Sequence, residues 1–204
     1  DLYGYGQQDS EEALTAILTL VNEKIPGKII DDIFNINIKT TIKCKVITCL
    51  TKKFYSEKSI KLIFEINNES DSLDDCYRLF KISEKLDEDN MVFCEKCDKK
   101  TIASRRAEVE SWPNNLVIVL KRFDYSTGRG KKINKTIDAP FEWRKGYKLR
   151  GIVYHSGSIN GGHYVYVGFY NNNWYLYDDN SISRITSNAL ERFKNNGYIY
   201  HYTK

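Results

Sequence analysis

Little in this sequence of 204 residues points to a membrane, a nucleic acid or a disulfide scaffold. No apolar run approaches the roughly 20 residues that span a bilayer, so no membrane partner is expected. The net charge is only +4, with the lysines scattered through Asn- and Ile-rich text. A nucleic-acid surface would need a basic stripe with interleaved aromatics, and none is written here. The chain opens at Asp1 without a methionine, a charged segment or an apolar leader, which reads as an internal boundary without a secretory signal. Five cysteines (Cys44, Cys49, Cys76, Cys94 and Cys97) make an odd count, so metal ligands or free thiols are expected in place of a disulfide framework. That usage fits a reducing intracellular compartment, cytoplasmic, nuclear or both. There is no internal repeat and no long linker. With 41% hydrophobic and 13% aromatic residues, the chain can build a packed core.

The pattern that is present reads as α+β, helix first and sheet later. Asp9 or Ser10 can cap a helix in which Leu14, Ile17, Leu18, Val21 and Ile25 share a face, ended by Pro26 and Gly27. From Ile29 to Ile66 the text turns β-branched and near-alternating, which predicts strands. Leu73 to Leu86 has room for a short helix or two, followed by the knuckle FCEKCDKK and a strand over Thr101 to Glu110. The continuous apolar run NLVIVLKRF predicts a buried central strand. Residues 126–130 read as a turn, and the last third as strand after strand, with a tight hairpin at Asn171-Asn172-Asn173.

The densest chemistry lies in GGHYVYVGFYNNNWYLYDDN. Antiparallel pairing across the hairpin can bring Asp178 or Asp179 to the His163 ring. A carboxylate bonded to one ring nitrogen fixes the tautomer and leaves the other nitrogen as a general base. Gly161 and Gly162 leave open backbone before the histidine, as a substrate tail would need. The plainer reading is a histidine satisfied within an aromatic sheet, with aspartates closing a strand.

GGHYVYV followed by WYLYDD resembles the histidine box of the ubiquitin-specific proteases, a family of papain-like cysteine deubiquitinases. The likeness continues in YGQQDSEEAL, IDDIFNINIKTTIKC, FCEKCDKK, WPNNLVIVLKRF, YKLRGIVYHSGSINGGHY and GYIYHY, in the family's order and over essentially the whole chain. It implies a hand-like fold in which residues 1–28 end a thumb, 29–110 form mostly fingers and 111–204 a palm, as one catalytic domain incomplete at its N-terminus. It implies thiol-dependent hydrolysis of the isopeptide bond at the ubiquitin C-terminal glycine, with His163 as base and Asp178, or its neighbour Asp179, as its orienter. Asp9, Glu12, His155, Gly162 and Tyr164 match positions along the ubiquitin tail, and ubiquitin and ubiquitinated proteins are the partners implied. Asp9 also reads as an ordinary N-cap, and His155 as a strand residue with a backbone partner.

The sequence departs from the family pattern in three places. No cysteine box resembling the family's nucleophile is present, so the nucleophile is expected outside this chain, with the protein's own N-terminal segment as a candidate partner; a non-catalytic ubiquitin-holding scaffold is the alternative. The chemistry itself needs no cofactor. Cys94-x-x-Cys97 has zinc-knuckle spacing, but Cys44 and Cys49 enclose four residues where two are expected, with Ile47 at the expected ligand position. Either the wider loop closes a four-cysteine structural zinc site or the thiols are relics packed as small hydrophobes. Ala13 stands where the family has a large aromatic. Without further thumb, the Leu14 to Val21 helix is expected to present apolar surface.

Overall fold

A computed structural model describes residues 8–125 and 130–204. The first seven residues, and most of the turn expected at 126–130, lie outside the described residues. The chain begins with α1 (Ser10–Lys24) and α2 (Ile29–Phe34), then β1 (Ile36–Cys44), β2 (Lys52–Ser59), β3 (Leu62–Phe64) and α3 (Leu73–Phe80). β4 (Glu84–Leu86), β5 (Val92–Cys94), β6 (Lys99–Thr101) and β7 (Ala103–Ser111) follow, then β8 (Asn115–Leu120), β9 (Phe123–Asp124), β10 (Lys131–Lys132) and β11 (Glu142–Trp143). The last part is β12 (Tyr147–Ser158), β13 (Gly161–Tyr170), β14 (Asn173–Asp178), β15 (Ser181–Arg184), α4 (Ser187–Asn196) and β16 (Ile199–Thr203).

Two sheets dominate. A narrow one runs β2-β1-β7-β4 and is antiparallel throughout. A large eight-stranded sheet runs β15-β14-β13-β12-β16-β8-β3, with β11 paired to β12 and only β3 parallel to its neighbour. The expected central strand is β8. Leu116, Ile118 and Leu120 bury into the main core on one face, while Val117 and Val119 join a smaller cluster with Tyr198 and Ile199 on the other. Burial on both faces is why its sequence reads as a continuous apolar run. Tyr147, Tyr200 and Tyr202 are fully buried and donate their hydroxyls to backbone carbonyls, Tyr202 to Pro140 at 2.8 Å and Tyr200 to Lys194 at 2.9 Å. A buried phenol needs such a partner, and these bonds fix where the connecting segments cross the sheet.

Two helices stand where strands were expected. Ile29–Phe34 forms α2 despite its β-branched residues, because Ile30 buries against the fold and the turn is closed by Asn35 donating to Asp31. In the last third, α4 interrupts the strands: the Thr186 hydroxyl accepts from the Ala189 amide, and Leu190 and Phe193 reach the main core. Tertiary burial outweighed local propensity in both segments. α1 starts as expected, with the Asp9 carboxylate accepting from the Glu11 amide at 2.7 Å. Its face is only half covered, however: no residue of α1 is fully buried, and Ile17 and Leu20 are more than half exposed. Among the described residues no helix is long and apolar enough to cross a membrane.

Candidate active site

β13 and β14 form a hairpin that sets the candidate base against its carboxylate. Asn171 and Asn172 both adopt left-handed backbone, with φ of 46° and 59°, and join strands whose end residues Tyr170 and Asn173 pair. That is the two-residue turn whose twist matches a hairpin, and asparagine tolerates it best after glycine. The same register pairs Tyr166 with Tyr177, so Asp178 falls diagonally across from His163 on the same face. The diagonal is closed: His163 Nε2 lies 2.5 Å from Asp178 Oδ1. Both side chains are a little under half exposed. The hydrogen bond to Asp178 raises the His163 pKa above the ordinary histidine range, and Asp179 adds a lesser push through its charge. Asp179 itself sits on left-handed backbone just past the strand, its carboxylate within 4.8 Å of the ring nitrogen. With Nε2 engaged, Nδ1 is the nitrogen left for proton transfer.

A cavity of about 80 Å³, reached one residue along β13 at Tyr164, gathers three of the expected tail residues, Asp9, His155 and Tyr164, along with Phe123, Tyr125 and Ile159. Asp9 is both an N-cap and a member of this cavity. Its carboxylate accepts the Tyr198 hydroxyl at 2.9 and 3.0 Å, and its burial raises its pKa. The His155 ring packs 4.5 Å from Tyr164 and 5.2 Å from Phe123 between centroids. Burial, then the charge of Lys132, hold His155 below the ordinary histidine range, and its Nδ1 has no partner among the described residues. Burial also pushes the Tyr164 phenol to about 12. Glu12 is exposed on α1 and does not line the cavity. Tyr198 was not singled out from the sequence, although it lies in the GYIYHY stretch; it stands one residue before β16.

Gly162 is needed for a different reason from the one its sequence suggests. A Cβ there would lie 2.0 Å from the Ser156 carbonyl oxygen and 2.3 Å from the His155 ring. The residue is glycine because the sheet is closed tightly over it; Gly161, with nothing within 4 Å, is the open one.

None of the five cysteines sits on the large sheet. Cys76 is buried under α3, where burial raises its thiol pKa. The other four converge. Cys44 Sγ lies 4.0 Å from Cys97 Sγ, Cys49 Sγ 3.6 Å from Cys94 Sγ, and all four within 4.8 Å of one another. Four sulfurs held by one tetrahedral zinc at about 2.3 Å would be roughly 3.8 Å apart, so this donor set fits such an ion. The wider first loop is what achieves it. Cys49 and Leu50 both donate to the Val46 carbonyl, and Leu50 takes a left-handed φ of 49°, which turns Cys49 back and leaves Ile47 89% exposed. The hydroxyl of Thr51 brings the Cys49 thiol down to about 6, and sharing with Cys49 pushes Cys97 to about 12.

The fold matches solved structures closely. A ubiquitin-bound SAGA DUB module of Ubp8, Sgf11, Sus1 and Sgf73 aligns with a TM-score of 0.83 over 98% of this chain and 49% of the matched chain, at 24% identity. The same module with ubiquitin aldehyde gives 0.81, also at 24% identity. At that identity the likeness establishes the papain-like hand fold. The ubiquitin carboxyl-terminal hydrolase family profile matches residues 1–202, and the chain belongs to that family, that is, to the ubiquitin-specific proteases. Human ubiquitin carboxyl-terminal hydrolase 21 is 31% identical over 64% of this chain and 25% of its own length. The Arabidopsis thaliana hydrolase 16 is 32% identical over 82% of this chain and 18% of its own. The chain thus spans a quarter or less of these two relatives and about half of the matched solved chains.

Proposed function

We propose that this chain carries the base half of a thiol-dependent deubiquitinase site, with the attacking cysteine supplied from outside these residues. The observation that supports it most is the 2.5 Å pair of His163 and Asp178, with Tyr164, the next residue of β13, lining the cavity that also holds Asp9 and His155. In the proposed step His163 Nδ1 takes the thiol proton, and the thiolate attacks the carbonyl carbon of the ubiquitin C-terminal glycine. Collapse of the tetrahedral species breaks the C–N bond, and the His163 proton goes to the departing lysine amine, leaving a thioester. His163 then deprotonates the water that hydrolyses it. Asp178 holds the ring in the productive tautomer, and Asp9, already buried against Tyr198, is suited to an arginine of the incoming tail.

The narrow sheet would act as fingers against the ubiquitin body, its tip fixed by zinc on Cys44, Cys49, Cys94 and Cys97. Bound there, zinc would supply cross-linking only. A scaffold that merely held ubiquitin would have no use for the His163–Asp178 pair, which favours the hydrolase. The test joins this chain to its native upstream sequence and adds a ubiquitin probe bearing a C-terminal electrophile. A covalent adduct that disappears in His163→Ala is expected. Retained ubiquitin binding without any adduct would establish the scaffold instead.

A further inference from the structure

Where α4 meets β12 and the β9–β10 ribbon, a cavity of about 280 Å³ is lined by Arg122, Lys132 and Arg192, with Asn134, Asn196 and Tyr154. His155 closes one side, and neither His163 nor Asp178 takes part. Three cations therefore face one space, and among the described residues no carboxylate lines it. Among the described residues none of the three makes an ion pair, although fourteen such pairs occur elsewhere.

Arg122 is the unusual member. It is 3% exposed, and a buried guanidinium normally has its N–H groups satisfied. Nε donates to the Gly197 carbonyl at 2.7 Å, and Nη1 to those of Ile133 and Lys135 at 3.1 and 2.8 Å. Among the described residues Nη2 has no partner within strict hydrogen-bond geometry, although the Tyr200 hydroxyl lies close enough to the guanidinium for a side-chain hydrogen bond and feels its charge. Lys132 Nζ donates to the carbonyls of His155 and Gly157 at 2.8 and 2.9 Å, which leaves the third ammonium hydrogen for a ligand. Burial, then the charge of Arg122, lower the Lys132 pKa. Arg192 is exposed on α4 at the mouth.

We propose that this cavity binds a phosphoryl dianion, with Arg122 Nη2, Lys132 Nζ and the Arg192 guanidinium as its donors. Three uncompensated cations call for more than one negative charge, and fork-shaped guanidinium donors beside an ammonium suit phosphate oxygens. The size is at the small end of ligand cavities, which favours inorganic phosphate or a small phosphomonoester over a polymer. Because Lys132 also holds the carbonyls of His155 and Gly157, whose strand partners are Tyr164 and Gly162, a bound dianion would be tied to the strand beside the candidate base. The assignment stands apart from the proposed hydrolysis.

The test is an amide NMR titration of the chain with inorganic phosphate at constant ionic strength, with chloride as balance, and a parallel titration with O-phosphoserine. Saturable shifts centred on Lys132, Asn134 and Asn196 are expected, weakened roughly tenfold in Arg192→Ala and in Lys132→Met. The tighter of the two probes tells whether the free ion or a phosphomonoester is the better ligand. Arg192 is exposed, so its variant keeps the fold and decides the matter should Lys132→Met misfold. A non-saturating response, shifts centred elsewhere, or unchanged affinity in Arg192→Ala overturns the site.

Discussion

The two sheets of this molecule are held by different physics. In the large sheet the strands enclose a core in which Tyr147, Tyr200, Ile118, Leu116 and Ile152 lose all contact with water. Around its edge Tyr77, Trp112 and Trp143 meet edge to face at 5.6 to 6.1 Å. The narrow sheet has little of this. β2 is exposed along most of its length, with Phe54 and Tyr55 more than half open. At its far end stands the quartet of sulfurs, a donor set that fits zinc, together with peripheral pairs such as Lys53–Glu95. A sheet with too little apolar area to bury needs a cross-link, whereas one wrapped around its own core does not.

That contrast can be broken at several points. The largest effect should follow removal of metal by a chelator, or Cys94→Ser: hydrogen exchange is expected to lose protection over β1, β2, β5 and β6 while β8, β12 and β16 stay protected. Simultaneous loss in both sheets would mean that the cluster supports the whole fold. One equivalent of zinc per chain by elemental analysis is the companion measurement. Next, Ile118→Ala in the large sheet should cost about 2–5 kcal/mol in a denaturant titration, since it opens a cavity under a fully enclosed side chain.

Acid should act on the large sheet through its buried histidines. Burial lowers the pKa of both His155 and His201. The unfolded chain therefore takes up these protons first, and stability present above about pH 6.5 is lost as pH falls through that value toward the folded pKa values. His201→Gln should flatten this dependence of melting temperature. His163 runs the other way: its folded pKa is raised, so its bond to Asp178 contributes below the ordinary value and is lost as pH rises through the folded one. Asp178→Asn should lower the His163 pKa measured by NMR, and Asp179→Asn should lower it less. The reverse order would make Asp179 the orienter. The smallest effect belongs to the narrow sheet's surface, where Phe54→Ala should change stability by less than about 0.5 kcal/mol.

What was legible in the sequence follows the same division. β8 and the β13–β14 hairpin could be read because burial on both faces writes a continuous apolar run and because Asn-Asn marks the turn. The diagonal between His163 and Asp178 followed from that turn by counting. α2 and α4 were not legible, since short helices with mixed composition depend on what they pack against; the Thr186 cap with Leu190 and Phe193 three apart was the one available cue for α4. Convergence of Cys44 and Cys49 was equally hidden, because it rests on the left-handed Leu50, a backbone state that leucine does not announce. The purpose of Gly162 was misread for a related reason: the contact that requires it comes from His155 on the adjacent strand.

The two-residue turn at Asn171 and Asn172 carries a consequence for how this hairpin can vary. Side chains alternate along a strand, so a one-residue slip in the pairing of Tyr170 with Asn173 would carry Asp178 to the opposite face of the sheet, away from His163, without changing a single residue of either strand. What descent must preserve here is a parity: the asparagines can be exchanged for other residues tolerant of left-handed backbone, provided the turn still pairs Tyr170 with Asn173.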